Sequence, residues 1–233
     1  MVLPTVILPG YLAGAEEYLG LQTHLEQRGV PTLTVPLRKW DWVPTIGGRS
    51  MIPILRPLHE TVQRALQEFG CDRINLICHS AGGWVARIYL GEKPYQIHQD
   101  KLGETGLWDR RAQVATLVTL GTPHTSRERW TLRNLNFVND HYPGAFYPEI
   151  RYVCVAGKAV FGARRPGQWL AYSSYEITCG QGACWGDGIT PIVSAHLEGA
   201  ENVTLEGVRH APRPGFVWYG SPDIVKLWIP YLA

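Results

Sequence analysis

The sequence lacks any apolar run near the ~18 residues that a membrane-spanning helix needs, and it lacks an excess of charge. Lys+Arg 22 against Asp+Glu 20 leaves +2, too balanced for a dedicated nucleic-acid binder. Cysteine is scarce: five residues, an odd number without repeated spacing, argue against a disulfide scaffold and for a reducing, cytoplasmic setting. Only Cys179 and Cys184 lie close enough in the chain to invite a bridge, and the other three weigh against one. HExxH, paired CxxC, Walker and GxGxxG patterns are missing in the right context, so no metal and no cofactor is expected. The start, MVLPTVILPGY, is apolar, but no Lys or Arg precedes the run and Pro4 and Pro9 interrupt it. That pattern predicts a buried first strand rather than a signal peptide.

What is present points to an ordinary globular chain. Its 233 residues are 45% apolar and 18% charged, which excludes intrinsic disorder and predicts one domain over residues 1–233. A core of that size buries roughly 70–75% of the unfolded surface. Apolar, β-branched runs at Thr5–Leu8, Thr32–Val35, Ile74–Cys78, Val114–Leu120, Tyr152–Val155 and Val203–Leu205 read as six short strands. Near-continuous Val, Ile and Leu is what a parallel sheet covered on both faces requires. Helix-length segments at Glu16–Gln27, Ser50–Phe69, Ser80–Leu90 and Asp223–Leu232 alternate with them. The expectation is an α/β fold with a mostly parallel, doubly wound sheet flanked by helices.

Two stretches break the rhythm, 122–148 and 157–186. Gly, Pro, Trp and Arg occur in both, with Pro and Arg prominent in the first and Gly in the second, and both start at the carboxyl end of a predicted strand, the edge where open α/β sheets bind ligands. They are read as lid or substrate loops, with plain surface loops as the alternative.

The most informative segment is Ile74–Arg87. A strand runs into a helix with Ser80 at the joint and small residues two positions to either side. A turn that sharp lifts the serine Oγ out of the sheet in front of a helix N-terminus, which stabilises developing negative charge. Taken alone, Ser80 has a helix N-cap as its alternative reading. The run His79-Ser80-Ala81-Gly82-Gly83 resembles the H-S-x-G-G elbow of α/β-hydrolase lipases and esterases, with Cys78 where the usual pattern has its first glycine. Three further segments carry the resemblance. Gly121-Thr122-Pro123-His124 is similar to the G-T-P-H turn that leads into the lipase lid. Pro9-Gly10-Tyr11 occupies the place of the oxyanion loop, with Pro9 for the usual histidine. Gly186-Asp187-Gly188-Ile189-Thr190-Pro191 resembles the G-D-G-x-V-P loop that carries the acid, and a last strand and loop lead to His210.

The resemblance implies a Ser80, Asp187, His210 triad in the chain order of this fold, with the backbone N–H groups of Tyr11 and Ala81 as the oxyanion hole. Competitors remain: His196 and His124 for the base, Asp223 and Asp140 for the acid. His79 adjoins the serine, but the elbow should turn its side chain away from Oγ. His24, His59, His98 and His141 read as surface or capping residues.

Trp40, Trp42, Trp130, Trp169, Trp185 and Trp218, six of nine tryptophans, follow predicted strands at the catalytic edge, along with arginines that include Arg209 and Arg213. Trp42, His124, Trp130, Trp185 and Trp218 are accordingly candidates for binding an apolar substrate, and the basic rim suits peripheral contact with anionic lipid. The tryptophans could instead pack beneath their own loops. The function expected is an acyl hydrolase of lipid esters, with a soluble carboxylesterase or acyl-thioesterase, or a binding protein without activity, as alternatives. A looser similarity, through 186–198 and 218–222, is to a cyanobacterial and plastid branch of the superfamily.

Overall fold

The computed structural model describes residues 2–97, 106–213 and 215–233; His98 lies outside them. Their main sheet has six strands: β1 (Thr5–Leu8), β2 (Thr32–Thr34), β3 (Ile74–His79), β4 (Val114–Leu120), β5 (Arg151–Lys158) and, after a short hairpin, β8 (Glu201–Glu206). The order is β2-β1-β3-β4-β5-β8, and every pairing is parallel. The hairpin pairs β6 (Val160–Phe161) with β7 (Trp185–Gly186).

Side-chain alternation explains why the central strands read as continuous apolar runs. On β3, Leu76 and Cys78 join one core with Val6, Leu8 and Leu117, while Ile77 joins a second core with Ile7, Val118 and Val153. Successive residues of a strand point to opposite faces, and here both faces are covered. The first core packs under α2 (Ile52–Phe69) and α3 (Gly82–Leu90), through Ile54, Leu58, Val62, Trp84 and Val85. The second packs under α1 (Leu19–Glu26) and α7 (Pro222–Trp228), through Leu21, Leu25, Val225 and Trp228.

The two irregular stretches hold structure of their own. The first contains α4 (Leu132–His141), whose Leu135 and Val138 join the first core. The second begins inside β5 and contains the hairpin and α5 (Trp169–Cys179). A four-residue helix, α6 (Ile192–Ala195), follows the acid loop. Cys179 and Cys184 are free thiols, each donating to the Gln181 carbonyl. No described helix is long and apolar enough to cross a membrane.

Candidate active site

Ser80 occupies the joint between β3 and α3 with φ +51°, a left-handed conformation that a non-glycine residue adopts at a cost. The surroundings hold it there. Its N–H donates to the Leu120 carbonyl on β4 (2.9 Å), and its own carbonyl accepts from the Thr122 hydroxyl (2.7 Å) and the Gly83 N–H (3.1 Å). Cys78 is fully buried on β3, so a thiol fits where the usual pattern has glycine.

Three side chains from three loops meet in series. Ser80 Oγ lies 3.0 Å from His210 Nε2, and His210 Nδ1 lies 2.7 Å from Asp187 Oδ2. The loop amides of Ile189 (2.9 Å) and Thr190 (2.7 Å) donate to Asp187 Oδ1. Oδ2 also accepts from the Tyr219 hydroxyl at 2.7 Å, and Tyr219 in turn accepts from Gly157 N–H on β5 at 2.8 Å. Burial pushes the Asp187 carboxyl up. The charge and hydrogen bond of His210, with the Thr190 and Tyr219 donors, outweigh it and hold the group below the ordinary carboxylate range. Gly121 shows how tightly the parts fit: it sits at φ +60°, and a Cβ there would stand 2.7 Å from Asp187 Oδ2.

Behind the serine lies a second buried chain of hydrogen bonds. Gly10 N–H donates to the Tyr18 hydroxyl (2.9 Å), Tyr18 donates to His79 Nδ1 (2.7 Å), and His79 Nε2 donates to the His210 carbonyl (2.8 Å). The carbonyl can only accept, which assigns the proton to Nε2. Burial, then the neighbouring His210, lowers His79 to about 3, so the ring is neutral. This chain joins the Gly10–Tyr11 turn to the histidine loop through the residue beside Ser80. His79 makes these contacts and none with Oγ, as the sharp elbow requires. Gly10 must be glycine: a Cβ would lie 2.7 Å from His79 Nδ1 and 3.0 Å from Ser80 Cβ. Among the described residues neither the Tyr11 N–H nor the Ala81 N–H has an acceptor, and both residues line the same cavity as Ser80.

A cavity of about 240 Å³ opens beside Ser80, lined by Tyr11, Ala81, Trp84, Trp130, Ile177 and Ile189 among others. Of the five expected substrate-binding residues, Trp130 lines it. Trp42 does not: it is fully buried, donates to the Ala13 carbonyl and packs edge-on against Tyr11. His124 does not either; it is buried between Thr119 and Cys154, its pKa driven well below 6.5 chiefly by burial. Trp185 packs on Phe161 in the hairpin, and Trp218 is buried against Tyr18 and His79. His196 bonds Thr204 and lies outside the series.

The sequence reading missed Tyr18, Tyr219 and Ile189. The two tyrosines carry no local signature, since their partners are 61 and 32 residues away. Ile189 was within reach: it is the apolar member of the acid loop itself, and half exposed there.

No family model and no curated protein matches the sequence. Solved structures do. Phospholipase PlaB from Legionella pneumophila superposes with a TM-score of 0.60 at 10% identity, over 91% of this chain and 54% of its own. An alpha-beta serine hydrolase homologue from Coxiella burnetii gives 0.50 at 14% identity, over 99% and 85%. The chain thus spans about half the length of the Legionella protein. Neither likeness bears on a cyanobacterial or plastid branch.

Proposed function

The chain has an α/β-hydrolase fold, and from that premise we propose that it is a serine hydrolase of carboxylic esters with apolar acyl chains, acting on lipid. One observation carries the reading: the Ser80–His210–Asp187 series opens onto an apolar cavity flanked by two free N–H donors. Ser80 Oγ attacks the acyl carbonyl as His210 takes its proton, and Asp187 keeps the imidazole in the tautomer that can accept it. The Tyr11 and Ala81 amides receive the oxyanion, each such donor being worth ~10²–10³ in rate. Water then releases the acyl group.

Lipid is favoured by the surface around the mouth. Trp130, Ile177 and Ile189 line the cavity and are all exposed, and apolar side chains gathered at one opening mark a contact surface. The phospholipase among the structural neighbours accords with that choice. Peripheral seating on a membrane is part of the proposal. A second reading has its own support: about 240 Å³ is below the ~300–1,000 Å³ of usual ligand pockets, which favours a short acyl chain on a dissolved ester.

The test is labelling by a fluorophosphonate, expected at Ser80, with Ser80→Ala lowering ester hydrolysis by ~10⁴ or more. His210→Ala should fall comparably and His196→Ala should keep its rate. Unlabelled Ser80, or Ser80→Ala within tenfold of the parent, overturns the mechanism. A rate curve for a short ester across its micellar threshold separates the two substrate readings: a rise that Trp130→Ala removes supports lipid, and smooth saturation supports the dissolved ester.

A further inference from the structure

A second cavity, of about 220 Å³, lies on the histidine side of the same series, lined by Leu170, Ile189, Arg209, His210, Arg213 and Phe216 among others. Ile189 lines both cavities, so the two meet at the acid loop. Their chemistry differs. The serine-side cavity offers aromatic and aliphatic walls, whereas this one is lined by two arginines together with Leu170, Ile189 and Phe216.

Arg209 immediately precedes His210, and the loop that places the base also places it: its N–H donates to the Val217 carbonyl and its guanidinium lies 4.4 Å over the Phe216 ring. Stacking of that kind holds the planar group and leaves its edge N–H donors free for an anion. Among the described residues neither Arg209 nor Arg213 has a carboxylate within ion-pairing distance. Elsewhere on the surface several basic groups do: Lys39 with Glu17, Arg151 with Glu201, Lys158 with Glu206. Asp187 also lines the cavity, but its oxygens are taken by His210, Tyr219 and two amides.

We propose that this cavity receives the leaving alcohol and that the alcohol carries a phosphate, held by Arg209 and Arg213. The inference rests on the ester-hydrolase reading and names its substrate more closely. In the first half-reaction the bond from Ser80 Oγ to the acyl carbon forms and the bond from that carbon to the alcohol oxygen breaks. The proton that His210 took from Ser80 passes to the departing oxygen. The departing group therefore leaves from beside His210 Nε2, and the phosphate binds one residue away. Arginine matches phosphate with paired N–H donors.

The experiment compares two dissolved esters with one acyl chain, 1-butyrylglycerol 3-phosphate and 1-butyrylglycerol. The parent should favour the phosphorylated ester by about tenfold or more in kcat/KM, the scale of one charge-assisted hydrogen bond. Arg209→Gln and Arg213→Gln, singly and together, should bring the ratio toward one, and glycerol 3-phosphate should compete where glycerol does not. Vesicles of phosphatidylglycerol and diacylglycerol of equal chain length form a second arm. Preference in that arm as well identifies a lipid headgroup as the source, and preference in the dissolved arm alone identifies a free phosphorylated ester. Equal rates for both members of each pair, or a ratio that survives the arginine substitutions, overturns the inference while leaving the hydrolase reading intact. If no ester is cleaved, the hydrolase reading falls and takes the inference with it.

Discussion

The stretches 122–148 and 157–186 leave the same edge of the sheet, yet they are built in opposite ways. The first turns inward. Leu135 and Val138 of α4 are buried in the core, Asn134 accepts from the Tyr95 hydroxyl and donates to the Arg49 carbonyl, and Arg87 donates to the Tyr142 carbonyl. The second turns outward: along α5 only Ala171 and Tyr175 are buried, and Trp169, Leu170 and Ile177 face solvent. Composition could not tell which of them packs, because Gly, Pro, Trp and Arg mark irregular chain whether or not it is buried. What separates them is a face: α4 carries an apolar stripe that meets the core, while α5 spreads its apolar residues around its circumference. α4 is therefore a wall of the molecule, while α5 leaves apolar side chains exposed and lends Ile177 to the cavity that Trp130 of the first stretch also lines.

The largest expected effect tests that contrast directly. Leu135 is 1% exposed and Leu170 is 75% exposed. Leu135→Ala should lower unfolding stability in urea by about 2–5 kcal/mol, and Leu170→Ala should stay within about 0.5 kcal/mol. Equal losses would erase the distinction.

A smaller effect depends on acid. His124 opens the first stretch and is buried with its pKa far below that of an exposed imidazole, whereas the second stretch contains no histidine. Because the folded value is depressed, the unfolded chain binds the proton first as pH falls. The stability is complete above ~6.5 and declines below it, with a slope of ~1.4 kcal/mol per pH unit for each such histidine. His79, lowered to about 3, adds its own share over the window from ~6.5 down to about 3. Urea midpoints between pH 7 and pH 5 should show this slope, and His124→Asn should reduce it by one histidine's share whatever its effect at pH 7. An unchanged slope would mean that the ring protonates in place.

The finest test concerns a tie between the second stretch and the acid loop, which Ser174 also joins by donating to the Ile189 carbonyl at 2.7 Å. Tyr175 accepts from Gly188 N–H at 2.8 Å and donates to the Val160 carbonyl at 3.1 Å. Tyr175→Phe should cost about 1–2 kcal/mol in stability and slow ester turnover several-fold without changing KM. A change confined to KM would place α5 in substrate binding alone.

Strands were the most legible part of the sequence. β1 and β4 fall where their apolar runs do, and β5 and β8 run further at their ends because pairing with neighbours extends the ladder past the apolar residues, to Lys158 and Glu206. The α1 region was readable as helical, but its first turn is a 3₁₀ segment, Ala15–Tyr18. The expected helix at the other end also closes in a 3₁₀ turn, Ile229–Tyr231. α4, α5 and the hairpin were not legible, since short elements with weak stripes are defined by what they pack against. At the site, Ser80, Asp187 and His210 stood in motifs whose spacing is local. The tryptophans did not: position after a strand says which edge a residue occupies, while burial decides whether it faces a ligand, and Trp42 and Trp218 face the interior.

The backbone of Ser80 gives this position two opposing demands. At φ +51° a glycine would sit without strain, while any side chain costs about 1 kcal/mol there. On the proposed mechanism Ser80→Gly and Ser80→Ala are equally inert, yet the glycine variant should melt at the higher temperature and exceed the parent. A residue that folding alone would replace is kept because of what its oxygen does. Selection for a robust chain and selection for a reactive one thus pull this codon in different directions, and a lineage freed from the chemistry should drift to glycine here before the core around it changes.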